Sequence, residues 1–194
     1  MNSDNTEGLD RADMERLVAG HDDALNALME RHAVPVFRFL CRLLGNEEDA
    51  NDLAQESFVR VYQHRERFRL SEKFTTWLYT IAGNLARNHH RWRRRHPQVS
   101  LDAPSEAAEG SLGDVLPSPQ ASPGETADAA ERAAAVRAAV DGLPEDMREA
   151  IILCEWEDMS MAEAAAVMQT TPKAIESFLY RARKLLRQRL RTWG

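Results

Sequence analysis

The feature that most limits the fold of this chain is a stretch with little to bury. Residues 97–128 hold prolines at 97, 104, 117, 119 and 123 among Ser, Ala, Gly and Glu, with no sustained apolar period. Residues 97–131 carry seven acidic groups and no basic one. Such a segment cannot repay the entropy of ordering, so it is expected to be an extended or mobile linker. A single core is then not expected to run through the 194 residues, and two small bodies should form on either side.

Both flanks read as helix. From Asp22 to Leu44, apolar residues Leu25, Leu28, Met29, Val36, Phe37, Leu40, Leu43 and Leu44 recur at largely helical spacings, with Pro35 expected to break or kink the run. A second helix opens at Asn46, a good N-cap, carries Glu47, Glu48 and Asp49 at its positive end, and turns Leu53, Phe58, Val59 and Tyr62 inward to about Arg65. A third, from about Glu72 to Arg95, has Phe74, Trp77, Leu78, Ile81, Ala82 and Leu85 on one stripe. Beyond the linker an Ala-rich helix ends near Asp141-Gly142, and Pro144, at a first helical position, starts the helix Glu145 to about Glu155. Ser160 and Glu163 form a capping box, and Thr171-Pro172 starts a helix to about Arg191. The last two are helix, tight turn, helix, with Ala165 small at the crossing and Ile175, Leu179, Ala182 and Leu186 inward.

Charge is segregated along the chain. The net charge is -6, yet residues 60–96 carry ten basic and two acidic groups, and residues 172–194 carry seven and one. Residues 1–59 and 132–171 are acidic, with 13 against five and eight against three. Two basic islands can attract phosphates locally, because screening confines charge interactions to about 8–10 Å, while the acidic surfaces stay available to a protein partner. In the first island Arg87, His89, His90, Arg91, Trp92, Arg93, Arg94 and Arg95 set cations beside aromatic planes, which suits phosphate contact with base stacking. A cationic helix C-terminus would need only two or three of these arginines.

Several chemistries are disfavoured. His89-His90 face different sides of a helix and have no Cys or acid at i+4, so no metal is expected. Asp52 and Glu56 stand at i, i+4 without any sign of a pocket, which suggests a solvated face or a docking surface for a basic partner. There is no Gly-rich phosphate loop and no nucleophile triad, so no enzymatic activity and no cofactor are expected. Cys41 and Cys154 lie far apart without CxxC spacing. The opening MNSDNTEGLD lacks a basic start and apolar run, and no apolar stretch approaches the roughly 18 residues that span a bilayer; a cytoplasmic protein without membrane insertion is expected.

The pattern D-x-x-D-L-x-Q-E-x-F at Asp49 to Phe58, then F-x-x-W-L-Y-x-I-A-x-N at Phe74 to Asn84, then the helix-turn-helix, resembles an RNA polymerase sigma factor of the extracytoplasmic-function type. The resemblance covers roughly residues 20–96 and 130–191. It implies an all-α protein of two small helical domains: an N-terminal extension at 1–21, sigma region 2 at 22–96, the linker at 97–129 and sigma region 4 at 130–194.

On matching positions it further implies that Asp49, Asp52, Gln55 and Glu56 dock on basic clamp helices of the polymerase beta-prime subunit. Phe68 and Asn84 would line a pocket for an unstacked base of the minus-ten element, with Lys73, Trp77, Arg87 and Arg91 near the strand. Trp77 could equally be a core residue. Lys173, Glu176, Ser177, Tyr180, Arg181 and Lys184 would face the minus-thirty-five duplex. The partners implied are core polymerase through its beta-prime and beta subunits, promoter DNA and a cognate anti-sigma factor.

Two departures from that family's common pattern stand out. Glu176 and Phe178 flank the Ser where many members have Lys and Arg; Glu can accept from a cytosine amino group, and Phe can meet a thymine methyl or join the core. Gln169 replaces a frequent Gly in the turn, at a cost of about 1 kcal/mol if that backbone is left-handed. A stand-alone helix-turn-helix regulator is the rival reading, and it leaves the first basic island without a use.

Overall fold

The computed structural model describes residues 3–96 and 123–191, with side chains described for 5–96 and 131–191. Most of the expected linker lies outside the described residues. Every regular element among them is helical: α1 (Ser3–Val18), α2 (Asp23–Leu44), α3 (Glu47–Gln63), a short 3-10 turn (Arg65–Arg67), α4 (Phe74–Arg95), α5 (Pro123–Asp141), α6 (Glu145–Glu155), α7 (Met161–Val167) and α8 (Pro172–Arg189).

Local chemistry sets most of the boundaries. Asn46 Oδ1 accepts from the Asp49 N–H at 2.9 Å and starts α3. Gly45 (φ 68°) closes α2 in the left-handed region that favours glycine. Ser160 and Glu163 cap one another at α7, and Thr171 Oγ1 accepts from the Ala174 N–H at 3.2 Å ahead of α8.

Four expectations change. Pro35 does not break α2, which continues from Asp23 to Leu44. Pro35 is exposed, and the hydrogen bond it cannot donate is offset by burial of Leu28, Val36, Phe39, Leu40 and Leu43 on the opposite face. Val59 does not point inward: it is exposed, because its neighbour Phe58 (3% exposed) takes the core side and successive helical residues sit about 100° apart. Pro144 occupies the N-cap of α6 rather than its first helical position. Helix α5 begins at Pro123, inside the expected linker span; proline is tolerated at a helix start and the Ala-rich run that follows favours helix.

Residues 1–21, beyond the reach of the resemblance, contribute a helix. On α1 the buried positions are Asp10, Asp13, Met14 and Leu17, spaced i, i+3, i+4, i+7. Met14 and Leu17 join the core, while Asp10 meets His32 Nε2 at 2.8 and 2.9 Å and Arg31 Nε at 2.9 Å, and Asp13 meets Arg31 Nη2 at 2.5 Å. Half of the buried stripe is therefore acidic, matched by a cation and an imidazole on α2.

Helices α1–α4 form one body and α6–α8, with the end of α5, a second, and the two meet with α4 against α7 and α2 against α6.

Candidate nucleic-acid interface

The acidic face of α3 divides in two. Asp52 and Gln55 are exposed, with Val59 on the same side, whereas Asp49 is half-buried and contacts α4 through Arg93 Nη1 at 3.0 Å and His89 Nε2 at 3.3 Å. Glu56 pairs with Arg60 on its own helix at 2.8 Å. The four residues expected to dock thus share one helix, and Asp52 and Gln55 are the exposed ones among them.

Ahead of α4 the structure brings the aromatic residues together. The Phe68 ring lies 5.2 Å from that of Trp77 and 6.2 Å from that of Phe74, and Phe74 is 5.2 Å from the His32 ring. Phe68 and Phe74 are buried and Trp77 is partly buried against the core, so Trp77 has a packing role whatever else it does. Further along α4, Asn84 Oδ1 accepts from Arg87 Nη2 at 2.7 Å. Arg91 and the arginines beyond it are exposed, and Trp92, half exposed, stacks on His96 with ring centres 5.1 Å apart.

A second stripe of α4 faces the second body. Tyr79, Gly83 and Arg87, at i, i+4 and i+8, meet acids of the second body. The Tyr79 hydroxyl donates to Glu157, Arg87 donates to Glu149, and at the helix start Lys73 Nζ lies 2.9 Å from Glu163 Oε1. Arg42 completes the set with Glu157 at 3.2 Å and stands over the Trp156 ring. Lys73 and Arg87, expected near the strand, are thus engaged by carboxylates here.

Burial pushes the Glu149 carboxyl above its ordinary range against the pull of Arg87, and pushes Glu157 up against the Tyr79 hydroxyl and Arg42. Burial, with the Glu157 carboxylate beside it, raises the Tyr79 phenol far above its usual value, so it remains a donor. The pairing of Tyr79, Gly83, Glu149, Glu157 and Glu163 was not read from the sequence. Its signal was a glycine in the middle of a strong helix, a residue that costs about 1 kcal/mol there relative to Ala.

In the second body α8 is held by Ile175, Leu179 and Ala182 against α6 and α7, with Ala165 buried at the crossing. Lys173, Glu176, Tyr180, Arg181 and Lys184 are all exposed along its outer side, Tyr180 at 71%, with Ser177 partly so. Phe178 packs against the core, which resolves its two readings in favour of packing. Gln169 has φ 53°, so the turn is left-handed at a non-glycine residue, as is Asp158 (φ 50°) on the other side of α7. No group of three or more metal-ligating side chains converges among the described residues, and no helix among them is long and apolar enough to cross a membrane.

Residues 28–96 match Sigma-70 region 2 and residues 133–186 match Sigma-70 region 4. The chain is 34% identical to the RNA polymerase sigma-H factor of Pseudomonas aeruginosa over 181 residues, covering 93% of each protein. It is 31% identical to the extracytoplasmic-function sigma-E factor of Haemophilus influenzae, covering 93% of this chain and 95% of that one. Among solved structures it resembles CnrH in complex with the cytosolic domain of CnrY, with a TM-score of 0.69, 25% identity and coverage of 96% of this chain and 99% of that one. The sigma factor RpoE of Bartonella quintana, solved with the anti-sigma factor NepR, shares the fold at a TM-score of 0.67 and 24% identity, over 86% of this chain and 96% of that one. With both sigma regions in order and relatives aligned over nearly its whole length, the chain belongs to the extracytoplasmic-function RNA polymerase sigma factors, which direct core polymerase to promoters.

Proposed function

We propose that α3 docks this factor on polymerase, α4 and the loop before it hold the opened minus-ten strand, and α8 enters the major groove of the minus-thirty-five element. The observation that carries this reading is the exposed polar edge of α3. Asp52 and Gln55 stand outside both the core and the contact between the two bodies, where a basic clamp helix of beta-prime can reach them. Asp49 and Glu56 flank them and supply further negative charge.

Phe68, ahead of α4, packs against Trp77 in its first turn, Lys73 stands at the helix start, and Asn84, Arg87 and Arg91 follow further along the helix. An extruded base is captured by stacking and edge hydrogen bonds, at roughly 1–3 kcal/mol per stacked base. On α8 the exposed stripe of Lys173, Glu176, Ser177, Tyr180, Arg181 and Lys184 has the length and polarity of a recognition helix. The anti-sigma factor NepR bound to the RpoE structure supports a cognate anti-sigma partner, and a cytoplasmic location follows from the work of transcription.

The test is Asp52→Arg in a core-polymerase pull-down, with circular dichroism as the control. Exposed acids facing a basic surface lose attraction and gain repulsion on reversal, so core binding should fall while the fold is retained. Unchanged core affinity in a folded Asp52→Arg protein would overturn the docking assignment.

A further inference from the structure

Gly83 lies in the middle of α4, where an added Cβ would stand 2.9 Å from Glu149 Oε1 and 3.2 Å from Arg87 Nη1, the first closer than real Cβ contacts come. Glu149 is 1% exposed, reaches across from α6, and accepts from Arg87. The same guanidinium donates to the Val167 carbonyl at 3.2 Å, so both α6 and α7 hold it. A helix-weakening residue thus stands where the second body lowers a carboxylate onto the first. Lys73 with Glu163 and Tyr79 with Glu157 lie toward the start of α4 from this point, and each again sets a donor of region 2 against an acid of region 4.

We propose that Gly83, Arg87 and Glu149 form a latch that folds region 4 over the strand-reading side of α4 in the free factor, Glu149 holding the Arg87 guanidinium as a DNA phosphate would. The part of this that concerns DNA rests on the assignment of Arg87 to the minus-ten strand. The latch itself rests on geometry alone. An unpaired carboxylate is costly in this buried position, so breaking the contact with Arg87 favours an open form with both groups in water. Access to the strand site then requires opening, and any partner that binds the open form shifts the equilibrium toward it.

Gly83→Ala isolates the idea, because Ala favours helix over Gly, so separation of the two bodies cannot come from a weakened α4. Two measurements on the full-length free factor are paired: the radius of gyration by small-angle X-ray scattering, and binding of a short fluorescein-labelled, mixed-sequence single-stranded oligonucleotide. Gly83→Ala should expand the protein and tighten oligonucleotide binding by about tenfold, the factor by which a one-in-ten competent population weakens apparent affinity. Glu149→Lys, which sets a cation against Arg87, should do the same and serves if Gly83→Ala does not fold. Expansion with no gain in oligonucleotide affinity supports the latch and overturns the assignment of Arg87 to DNA. A wild-type factor already extended in solution, or scattering unchanged in both folded variants, overturns the latch.

Discussion

The Tyr79 hydroxyl donates to Glu157 Oε2 at 2.5 Å, joining the second turn of α4 to the turn after α6 across 78 residues of sequence. Tyr79 is 4% exposed and its ring lies 5.0 Å from that of Phe39. Tyr79→Phe keeps that packing and removes one hydrogen bond to a carboxylate. Urea unfolding of the full chain should show a loss of about 1.5–3 kcal/mol, the range for hydrogen bonds to charged groups. A loss near zero would mean that the two bodies are not held together at this point in solution.

The three interface acids give stability a distinctive pH dependence. Glu149 and Glu157 are raised above the ordinary 4.5, so their contribution is complete below that pH and is lost as pH rises through their shifted values. For Glu163 burial works in the opposite direction but is outweighed by hydrogen bonds from Ser160 and Lys73, leaving it lowered; its contribution is present above 4.5 and lost as pH falls through its folded value. Chemical unfolding across pH should therefore show Glu157→Gln flattening the wild-type profile above 4.5 and Glu163→Gln flattening it below. Superimposable profiles for the wild type and either variant would rule out that residue's share.

Asp10 is 2% exposed and answers both His32 and Arg31. Asp10→Ala leaves His32 without its acid inside the α1–α2 contact and leaves Arg31 with Asp13 alone. Removing one partner of a buried ion pair costs about 3–5 kcal/mol, and urea unfolding should register a loss of that order. A change typical of surface sites, within about 0.5 kcal/mol, would show α1 to be an appendage.

Gln169 adopts φ 53° between α7 and α8. Gln169→Gly removes the crowding of a side chain in that conformation and should stabilise the protein by about 1 kcal/mol in a thermal melt. A destabilising result would point to an uncounted contact of the Gln side chain.

Glu176 stands exposed on the outer side of α8. Glu176→Lys should tighten binding to all promoters by removing a negative charge near phosphate. It should also relax discrimination at one base pair by roughly 1–3 kcal/mol if Glu176 accepts from a cytosine amino group. Transcription from a library of minus-thirty-five variants measures both effects, and an unchanged preference at every position would make Glu176 a solvated residue.

What the sequence made legible was whatever local chemistry decides. Asn46, Thr171 and the Ser160–Glu163 box are helix starts written in three or four residues, and each appears where that chemistry places it. The left-handed turn at Gln169 was likewise readable as a condition. Helix α1 was not, because two of its four buried stripe positions are Asp, and only remote partners on α2 explain why an acid sits inside. Val59 was misplaced because apolar character alone cannot choose between adjacent helical residues. Tyr79, Gly83 and Arg87 read as an unremarkable side of α4, since their use depends on a second body more than 60 residues further along.

The pairing of region 2 cations with region 4 acids bears on how such a factor moves through a chromosome. Nonspecific adhesion to duplex grows with the number of phosphates a protein neutralises, each adding about 0.9 to the salt exponent. On the proposal that Lys73 and Arg87 serve DNA, their engagement by Glu163 and Glu149 withholds two cations from that count, so the exponent should fall by about 1.8 in the closed form. The closed factor is then less readily titrated by bulk DNA, and a larger share of it stays in free solution, where it can meet polymerase.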